Sequence, residues 1–409
     1  MQPPSHPRPE PGGAASRDSS PRPRNRRPNG FLLALCFAAS FVVAWSGHLS
    51  SSRTVTPAGA ASPVPKYFFG FTPDFGGASD AALSAYYKHI KRGGARWVRF
   101  GVYWWFIEKS KGNFTWYSTD RYFAAAACSG LVALPMFIGS PRWASGRNST
   151  IAPPTPSHFP EYKRMIRRVI ARYGVGGSYW KEHHHCLDSN APVPTHPAHS
   201  WQVWNEPNVM DYYGSQQATA RGYGRLLVAA DDAINTSVNP HATTVMGGLT
   251  GSGAPNFLRA LYNAVPNLNS HVNVFDMHAY ATTPQNSLKL LREFRQTANN
   301  HGAGRKRLWV SEVAWSSCRQ QGYSYPAKCR NNALARNESG QRYYLTRLYN
   351  LLLQNASALR LRRVAWYSWM DPSLSRATCP FCYGSGLFHR DGSRKPAWSA
   401  YVNLAGGRL

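Results

Sequence analysis

The stretch WQVWNEPN, residues 201–208, joins a short run rich in tryptophan and valine to a polar end. Such a run is typical of a buried strand, and Glu206 follows it almost directly. A second stretch of the same kind, residues 309–312, ends in Glu312. In a barrel of parallel strands the functional side chains lie at the carboxyl ends of the strands. The two glutamates are therefore the first candidates for a catalytic pair.

Short β-rich runs alternate with longer helical ones on both sides of these stretches, from Tyr67 onward. This alternation is typical of repeated βα units around a parallel sheet. The helices include Asp80–Arg92, with Asp80 as its candidate cap, and Pro160–Tyr173, which begins with proline. We therefore predict an α/β fold, a (β/α)8 TIM barrel over residues 67–409. The eight predicted strands are Tyr67–Phe71, Trp97–Gly101, Val132–Ile138, Trp201–Trp204, Thr243–Gly248, Val274–His278, Leu308–Val310 and Val364–Trp369.

Length and composition fit one large catalytic domain. The chain has 409 residues, 43% apolar and 13% aromatic, which supplies a core and excludes disorder for most of it. Its 14 tryptophans suit a sugar-binding cleft, although core packing would absorb such rings equally well. The formal charge of +28 is spread along helix-like stretches, so we expect no nucleic-acid partner. An arginine-rich genome, or surroundings of acidic glycans or anionic envelope polymers, would explain the excess.

The first 66 residues indicate where the domain is located. Residues 1–30 are rich in Pro, Ser, Gly and Arg and predict a disordered, basic cytoplasmic tail. Four arginines of this tail precede the short apolar segment 31–48, an arrangement that follows the positive-inside rule. That segment fits either an uncleaved signal anchor or a removed signal peptide, and residues 49–66 would form a flexible tether. We expect a single-pass protein of the cell membrane with its catalytic domain outside, or a secreted one.

Seven cysteines give weak support for export. Cys36 lies in the apolar segment, and the other six permit three disulfides. A CxxC sequence can instead form half of a zinc or redox site, but the chain has only one. The run at residues 183–186, three histidines and a cysteine, resembles a metal site, yet adjacent residues cannot all converge on one ion. We expect no metal. The favoured disulfides are Cys318–Cys329, Cys379–Cys382 and Cys128–Cys186.

The two glutamates have the chemistry that glycoside hydrolysis requires. Hydrolysis with retention of configuration uses two carboxyl groups about 5 to 5.5 Å apart. Glutamates at the ends of strands four and seven can face each other across a barrel mouth. Because the whole chain has only 19 acidic residues, two in such positions are informative.

These motifs resemble glycoside hydrolase clan A, the retaining β-glycosidases and glycanases, over nearly all of residues 67–409. The resemblance rests on the Asn-Glu-Pro sequence after strand four and the glutamate after strand seven. The sequence PRWA at residues 141–144 is most similar to families five and thirty-nine. The resemblance implies a double displacement that cleaves β-glycosidic bonds in a poly- or oligosaccharide, with Glu206 as acid/base and Glu312 as nucleophile. It implies no cofactor.

The resemblance also implies roles for four residues around the pair. Arg99 would keep the nucleophile ionised, and Asn205 would bind the sugar 2-hydroxyl. His278 and Tyr280 would orient the site and touch the nucleophile. Each has a plainer explanation, such as a core histidine or an arginine paired with a surface acid. Those explanations do not account for the order of the set along the strands.

Aromatic residues after the strands are the remaining candidates for substrate binding. Trp369 matches the aromatic floor beneath the sugar at the cleavage point, and Trp143 follows strand three. Trp104, Trp105 and Trp315 also follow strand ends, where stacking on sugars and core packing are equally plausible.

We expect a monomer. The same scaffold could serve a transglycosylase, and a non-catalytic glycan-binding protein of the cell surface is the alternative from another class.

Overall fold

The structure, a computed structural model, describes residues 64–149, 151–209, 213, 219–238, 241–373 and 379–409. The expected cytoplasmic tail, the apolar segment 31–48 and the tether as far as residue 63 lie outside these residues. Within the described ranges, no helix combines the length and the apolar character needed to cross a membrane.

Eight parallel strands of the described chain close into a barrel in sequence order, and the last strand pairs with the first. This confirms the predicted (β/α)8 fold, with small shifts at the strand ends. The described residues from 64 onward belong to one compact unit that contains the whole barrel and its core, so the barrel is a self-contained folding unit. The strands are β1 Phe69–Thr72, β2 Trp97–Tyr103, β3 Val132–Ile138, β4 Ser200–Asn205, β5 Thr243–Thr250, β6 Val274–His278, β7 Arg307–Val313 and β8 Leu361–Tyr367.

Helices surround the barrel and pack their apolar faces against the strands. Four one-turn helices lie in the loops, and the longer ones form the outer layer. The helices are α1 Asp80–Arg92, α2 Trp104–Ile107, α3 Tyr117–Ser129, α4 Arg142–Ser145, α5 Phe159–Tyr173, α6 Ala220–Asn235, α7 Ala254–Ala264, α8 Leu268–His271, α9 Pro284–Asn300, α10 Ala327–Arg330, α11 Glu338–Leu359 and α12 Pro396–Ala405. Single 3-10 turns occur at Pro156–His158, Ser178–Lys181 and Phe381–Gly384.

The start of α1 differs from the expectation. Ser79, not Asp80, is the capping residue, because its backbone is extended and its hydroxyl accepts a hydrogen bond from the Ala82 amide at 3.2 Å. Asp80 lies in the first helical turn and forms an ion pair with Arg121 of α3. The carboxylate therefore joins two neighbouring helices.

The barrel interior changes from apolar to polar along its axis. At the amino ends of the strands it is filled by a cluster that includes Trp97 and Trp309. Gly70 is required there, since a Cβ atom at this position would lie 2.2 Å from Cε2 of Trp97. Nearer the carboxyl ends the interior holds buried polar side chains, among them Gln202 and Asp276. Substrate chemistry is therefore expected at the carboxyl ends, above an apolar plug.

The three favoured disulfides are all present. Cys128–Cys186 links α3 to the segment before β4, with the two Cα atoms 5.9 Å apart. Cys318–Cys329 and Cys379–Cys382 close the loops that follow β7 and β8. The CxxC sequence is thus a loop disulfide, and Cys186 is bonded in the same way, so neither offers a free thiolate to a metal.

Candidate active site

Glu206 lies at the mouth of the barrel because β4 ends in an unusual turn. Trp204 and Glu206 adopt left-handed backbone angles, with φ of 74° and 39°. Such conformations cost about 1–3 kcal/mol each for residues with a Cβ, and they persist where the surrounding structure demands them. Trp204 is fully buried, which holds the turn in place. The strained turn points to a functional requirement at Glu206.

The carboxyl group of Glu206 is largely shielded from water. The residue is 7% exposed, and its Oε1 atom lies 2.7 Å from Nδ1 of His278. Burial raises the pKa of Glu206 to about 7, while a hydrogen bond from Thr250 and the charge of Arg99 oppose that rise. At neutral pH both the acid and the carboxylate forms of the group are therefore accessible.

Glu312 is held in a different environment near the end of β7. The Arg99 guanidinium contacts Oε1, and the Tyr280 hydroxyl donates to Oε2 at 2.9 Å. Both carboxylate oxygens thus have a donor, one of them permanently positive, which stabilises the negative charge. The two glutamates are chemically similar, but their surroundings give them different properties.

His278 brings the two glutamates together. Its Nδ1 atom lies 3.6 Å from Oε2 of Glu312, in addition to its contact with Glu206. This nitrogen and one oxygen from each carboxyl group all lie within 4.8 Å of one another. The separation of the carboxyl groups is therefore on the scale of about 5 Å found in retaining glycosidases, and below the roughly 6.5–9.5 Å of inverting ones.

Two carboxylates and one imidazole are also a set of ligands that can bind a divalent ion. The surroundings of Glu206, His278 and Glu312 do not favour one. Arg99 is 2% exposed and contacts one of the carboxylates, which places a fixed positive charge where a metal would add another. The hydrogen bonds among Glu206, His278, Glu312 and Tyr280 account for the close approach of these groups. The described contacts therefore explain the cluster without a metal ion.

Arg99 connects the site to the barrel interior. Its Nη2 atom donates to Oδ1 of Asn205 at 2.6 Å and its Nε atom to Oε1 of Gln202 at 2.5 Å. Asn205, the last residue of β4, is consequently fixed beside Glu206, which follows it directly. Gln202 in turn donates to Asp276, a fully buried carboxyl group of β6.

Asp276 determines the hydrogen positions on His278. The Asp276 carboxyl group accepts hydrogen bonds from the backbone amide and the hydroxyl of Ser311 and from the side-chain amide of Gln202. These three donors favour the ionised form of Asp276, whereas burial opposes it and raises the pKa. Ser311 gives its only hydroxyl hydrogen to Asp276 and must accept at its 3.0 Å contact with Nε2 of His278. The hydrogen of neutral His278 is then on Nε2, and Nδ1 accepts from protonated Glu206. Burial lowers the pKa of His278, consistent with a neutral ring.

The structure thus brings together six of the predicted site residues: Glu206, Glu312, Arg99, Asn205, His278 and Tyr280. It adds Gln202, Asp276 and Ser311, which the sequence reasoning missed. One signal was available for Asp276, because it stands two residues before His278 and therefore faces the same side of a strand.

Trp369 is not placed at the site. It is 1% exposed, and its ring packs 4.3 Å from Phe388 and 5.1 Å from Trp398, measured between ring centroids. The reason is that β8 ends at Tyr367, two residues earlier than predicted, so Trp369 belongs to the following loop. Tyr367 lies nearer the site instead: its ring centroid is 6.4 Å from that of Phe381, and the Phe381 centroid is 4.9 Å from that of Tyr280.

The other tryptophan candidates are mostly structural. Trp143 is half-buried in α4, where its indole nitrogen donates to the Glu108 carbonyl oxygen at 3.3 Å. Trp104 and Trp315 are fully buried core residues. Tyr103, the last residue of β2, has an exposed aromatic ring: it is 42% exposed, and no sequence pattern distinguished it.

Comparisons with solved structures agree with this architecture. A family 39 glycoside hydrolase from the gut symbiont Bacteroides cellulosilyticus superposes with a TM-score of 0.60 at 18% identity, over 83% of this chain and 64% of that one. A monomeric beta-xylosidase from Caulobacter crescentus gives 0.60 at 18% identity, over 84% and 69%. The native xylanase 10B from Thermotoga maritima gives 0.54 at 13% identity, over 83% and 95%.

The matched part of the chain therefore spans less than two thirds of the family 39 enzyme from B. cellulosilyticus. No protein-family model matches the sequence, and a search of curated proteins finds no match. The predicted resemblance to clan A, including families five and thirty-nine, is confirmed at the level of the fold.

Proposed function

We propose that the protein is a retaining glycoside hydrolase that cleaves β-glycosidic bonds in a poly- or oligosaccharide. The observation that carries this proposal is the pairing of Glu206, whose pKa is raised to about 7, with Glu312, which is held by Arg99 and Tyr280. Oxygens of the two carboxyl groups lie within 4.8 Å of each other. One proton donor and one carboxylate at this separation are what a double displacement needs.

In the first step Glu312 attacks the anomeric carbon while Glu206 gives its proton to the departing glycosidic oxygen. The carbon–oxygen bond to the leaving sugar breaks, and an ester between Glu312 and the remaining sugar forms. Glu206, now a carboxylate, then removes a proton from water as the water attacks the same carbon. Glu312 is released and Glu206 is protonated again. Asn205, fixed by Arg99, would bind the sugar 2-hydroxyl.

For the substrate, we propose a β-linked chain of neutral sugars. The neighbours in fold include proteins described as a beta-xylosidase, a xylanase and beta-1,4-galactanases. A sugar hydroxyl in place of water would give transglycosylation with the same residues, so the two outcomes differ only in the acceptor. A panel of β-xylo-, galacto-, gluco- and manno-oligosaccharides, analysed for both shortened and lengthened products, separates them.

The nucleophile provides the most direct test. A 2-deoxy-2-fluoro glycoside with a good leaving group should esterify Glu312, and peptide mass spectrometry should locate the adduct. Glu312→Ala should abolish turnover and, with azide, yield a glycosyl azide of inverted configuration, because the small anion can enter the space left by the carboxylate. Glu293→Ala, on the exposed side of α9, is the matched control and should keep full activity. Labelling at another residue, or wild-type turnover in Glu312→Ala, would refute the proposal, whereas glycan binding without turnover would favour a lectin-like role.

We further propose that the domain acts outside the cytoplasm, as a monomer, with residues 31–48 as a signal anchor or signal peptide. The three disulfides support an oxidising compartment, since such bonds rarely persist in the cytosol. The full chain should stay with membranes in about 1 M salt, where surface charges are screened, whereas a chain that starts at Val64 should be released at that salt and be active. If the shortened chain stayed with membranes at that salt, an attachment other than residues 31–48 and other than surface charge would be responsible.

A further inference from the structure

The amino-terminal end of the barrel has a strongly basic surface. In parallel pairing Trp97 lies opposite Val132, Val274 opposite Arg307, and Leu308 opposite Leu361. The residues just before these strands therefore share one end of the barrel. The cations there, which we call the basic face, are Lys66, Lys91, Arg92, Arg96, Arg305, Lys306, Arg307, Arg360, Arg362, Arg363 and Arg408.

These cations are not neutralised by the protein. Within the described ranges, none of them forms an ion pair with a carboxylate, although ten other Lys and Arg side chains do. The charge of Asp231 partly offsets the lowering of the Lys306 pKa by burial. Asp231 is nevertheless only 3% exposed, and its carboxyl oxygens contact Thr244 and His271. The positive charge of this face is therefore directed to solvent.

The face also shows repulsion among its own members. Arg363 lies over the Trp309 ring at 4.1 Å, and burial lowers its pKa to about 10, with Arg307 adding to the effect. Lys91 likewise has a lowered pKa, from burial first and from Arg96 second. A cluster that gains nothing from internal pairing would be stabilised by an external anion.

The opposite end of the barrel also holds cations. Some of them have acidic partners, such as Lys395 with Asp371 and Arg164 with Glu108, whereas others in the loops after the strands, such as Arg319 and Arg394, form no ion pair within the described ranges. The proposed catalytic pair also opens at this end. The basic face thus lies at the end of the barrel away from the active site, so its charge does not serve to attract an acidic substrate to the cleft.

Two of the connections at this end of the barrel are very short, although residues 174–199 form a longer one between α5 and β4. Arg360 alone joins α11 to β8, and only four residues separate α1 from β2. The chain also enters the barrel here, since Lys66 immediately precedes Tyr67 and β1. Residues 49–65 are all that lies between this face and the apolar segment 31–48.

We propose that the basic face docks on an anionic phospholipid bilayer and holds the barrel with its active site directed away from the membrane. The partner is identified by charge complementarity and by the point where the chain joins the barrel. Juxtamembrane cations are each worth about fivefold in affinity for a membrane that contains acidic lipids. The inference does not depend on the catalytic proposal, because it concerns the other end of the barrel.

The test uses the chain from Val64 onward, which contains the whole folding unit but not the apolar segment. Sedimentation with vesicles should show binding to phosphatidylcholine that contains about one quarter phosphatidylglycerol, and none to pure phosphatidylcholine. Binding should disappear at about 1 M salt, where the Debye length is about 3 Å. Equal binding to both vesicle types, or none to either, would overturn the proposal.

Two triple variants with the same loss of charge separate a local effect from a general one. Changing Arg305, Arg307 and Arg362 to Gln should weaken vesicle binding about a hundredfold, about fivefold for each cation. The matched control changes Arg221, Arg225 and Arg342 to Gln, which lie in the first two turns of α6 and α11 at the other end of the barrel. It should bind almost as well as the parent chain.

Equal losses in the two variants would show a dependence on net charge alone and would refute a docking face. So would selective binding to an acidic polysaccharide such as alginate without binding to the vesicles. Thermal melting checks that both variants fold, and the single change Arg362→Gln at an exposed side chain provides a milder version, with an expected loss of about fivefold.

Discussion

The Nδ1 atom of His278 accepts a hydrogen bond from Glu206 across 2.7 Å, and the relay behind it leaves that nitrogen without a hydrogen of its own. Asp276 and Ser311 keep the ring hydrogen on Nε2. A hydrogen between the two groups therefore belongs to Glu206 whenever that carboxyl group is protonated. The polar interior near the barrel mouth thus favours the acid form of Glu206, which the proposed mechanism requires of it.

Glu206→Gln should distinguish substrates by their leaving groups. Without a proton donor, natural glycosides should lose about a hundredfold to ten-thousandfold in rate, whereas aryl glycosides with acidic phenols should lose much less in the first step. Glu312→Gln should impair both kinds of substrate alike, because each must form the ester. Steady-state kinetics on a matched aryl and oligosaccharide pair measures this. Equal losses for both substrates in Glu206→Gln would remove Glu206 from the acid role.

The same variant should change stability in a way that depends on pH. Folding raises the pKa of Glu206 from 4.5 to about 7, so the native state loses stability as the pH rises through that interval, where the buried carboxyl group must ionise. Glu206→Gln avoids this cost, and its gain in the free energy of unfolding should reach up to about 3 kcal/mol above pH 7 and vanish below about pH 4.5. Thermal melts across the interval measure the gain. The exposed control Glu293→Gln should show no such trend.

The sequence predicted the strands, the two glutamates and their partners because these features are local. A β-rich run that ends in a polar residue is visible without knowing what it faces, as with Glu206, and the parallel barrel then brings such ends together. Gln202, Asp276 and Ser311 are different. Each is a single polar residue inside a strand, and its importance depends on partners in other strands that only the closed barrel identifies.

The error at Trp369 has a related cause. The pattern VAWYSWM allows β8 to continue for two residues beyond its observed end, and the choice between two aromatic residues depends on that end. The loop after Tyr367 is held by the buried pair of Asp371 and Lys395, which are 24 residues apart in sequence. Sequence periodicity carries no information about such a contact.

The relay behind His278 can be tested through Asp276→Asn. The amide would donate to Ser311, which would then donate to Nε2 of His278 and move the ring hydrogen to Nδ1. A donor at Nδ1 favours the carboxylate of Glu206 and lowers its pKa, so the basic limb of the kcat/KM profile should move to lower pH. Ser311→Thr keeps the hydroxyl and should keep the limb. Asp231→Asn, a buried change in α6, is the control for general destabilisation. A lower melting temperature with an unmoved limb would mean that Asp276 is merely structural.

Two aromatic residues should respond in opposite ways to removal of the ring. Tyr103 is 42% exposed at the end of β2, and its ring lies over Gly101, where a Cβ atom would come within 2.6 Å of it. Tyr103 stands four residues after Arg99 on β2, so its side chain is on the same face of the strand, at the end where the site opens. We expect Tyr103→Ala to lower kcat/KM for oligosaccharides about tenfold, from lost contact with a sugar face, with little change in the melting temperature.

Trp369→Ala should do the reverse, because its buried ring packs against Phe388 and Trp398. Removing a large core aromatic costs about 3–5 kcal/mol of stability, so the melting temperature should fall clearly while the folded fraction keeps its KM. Tyr103→Phe retains the ring and should stay near the parent activity. If Trp369→Ala instead raised KM with an unchanged melting temperature, Trp369 would contact the substrate after all, and the aromatic surface of the cleft would have to be assigned to the loop after β8.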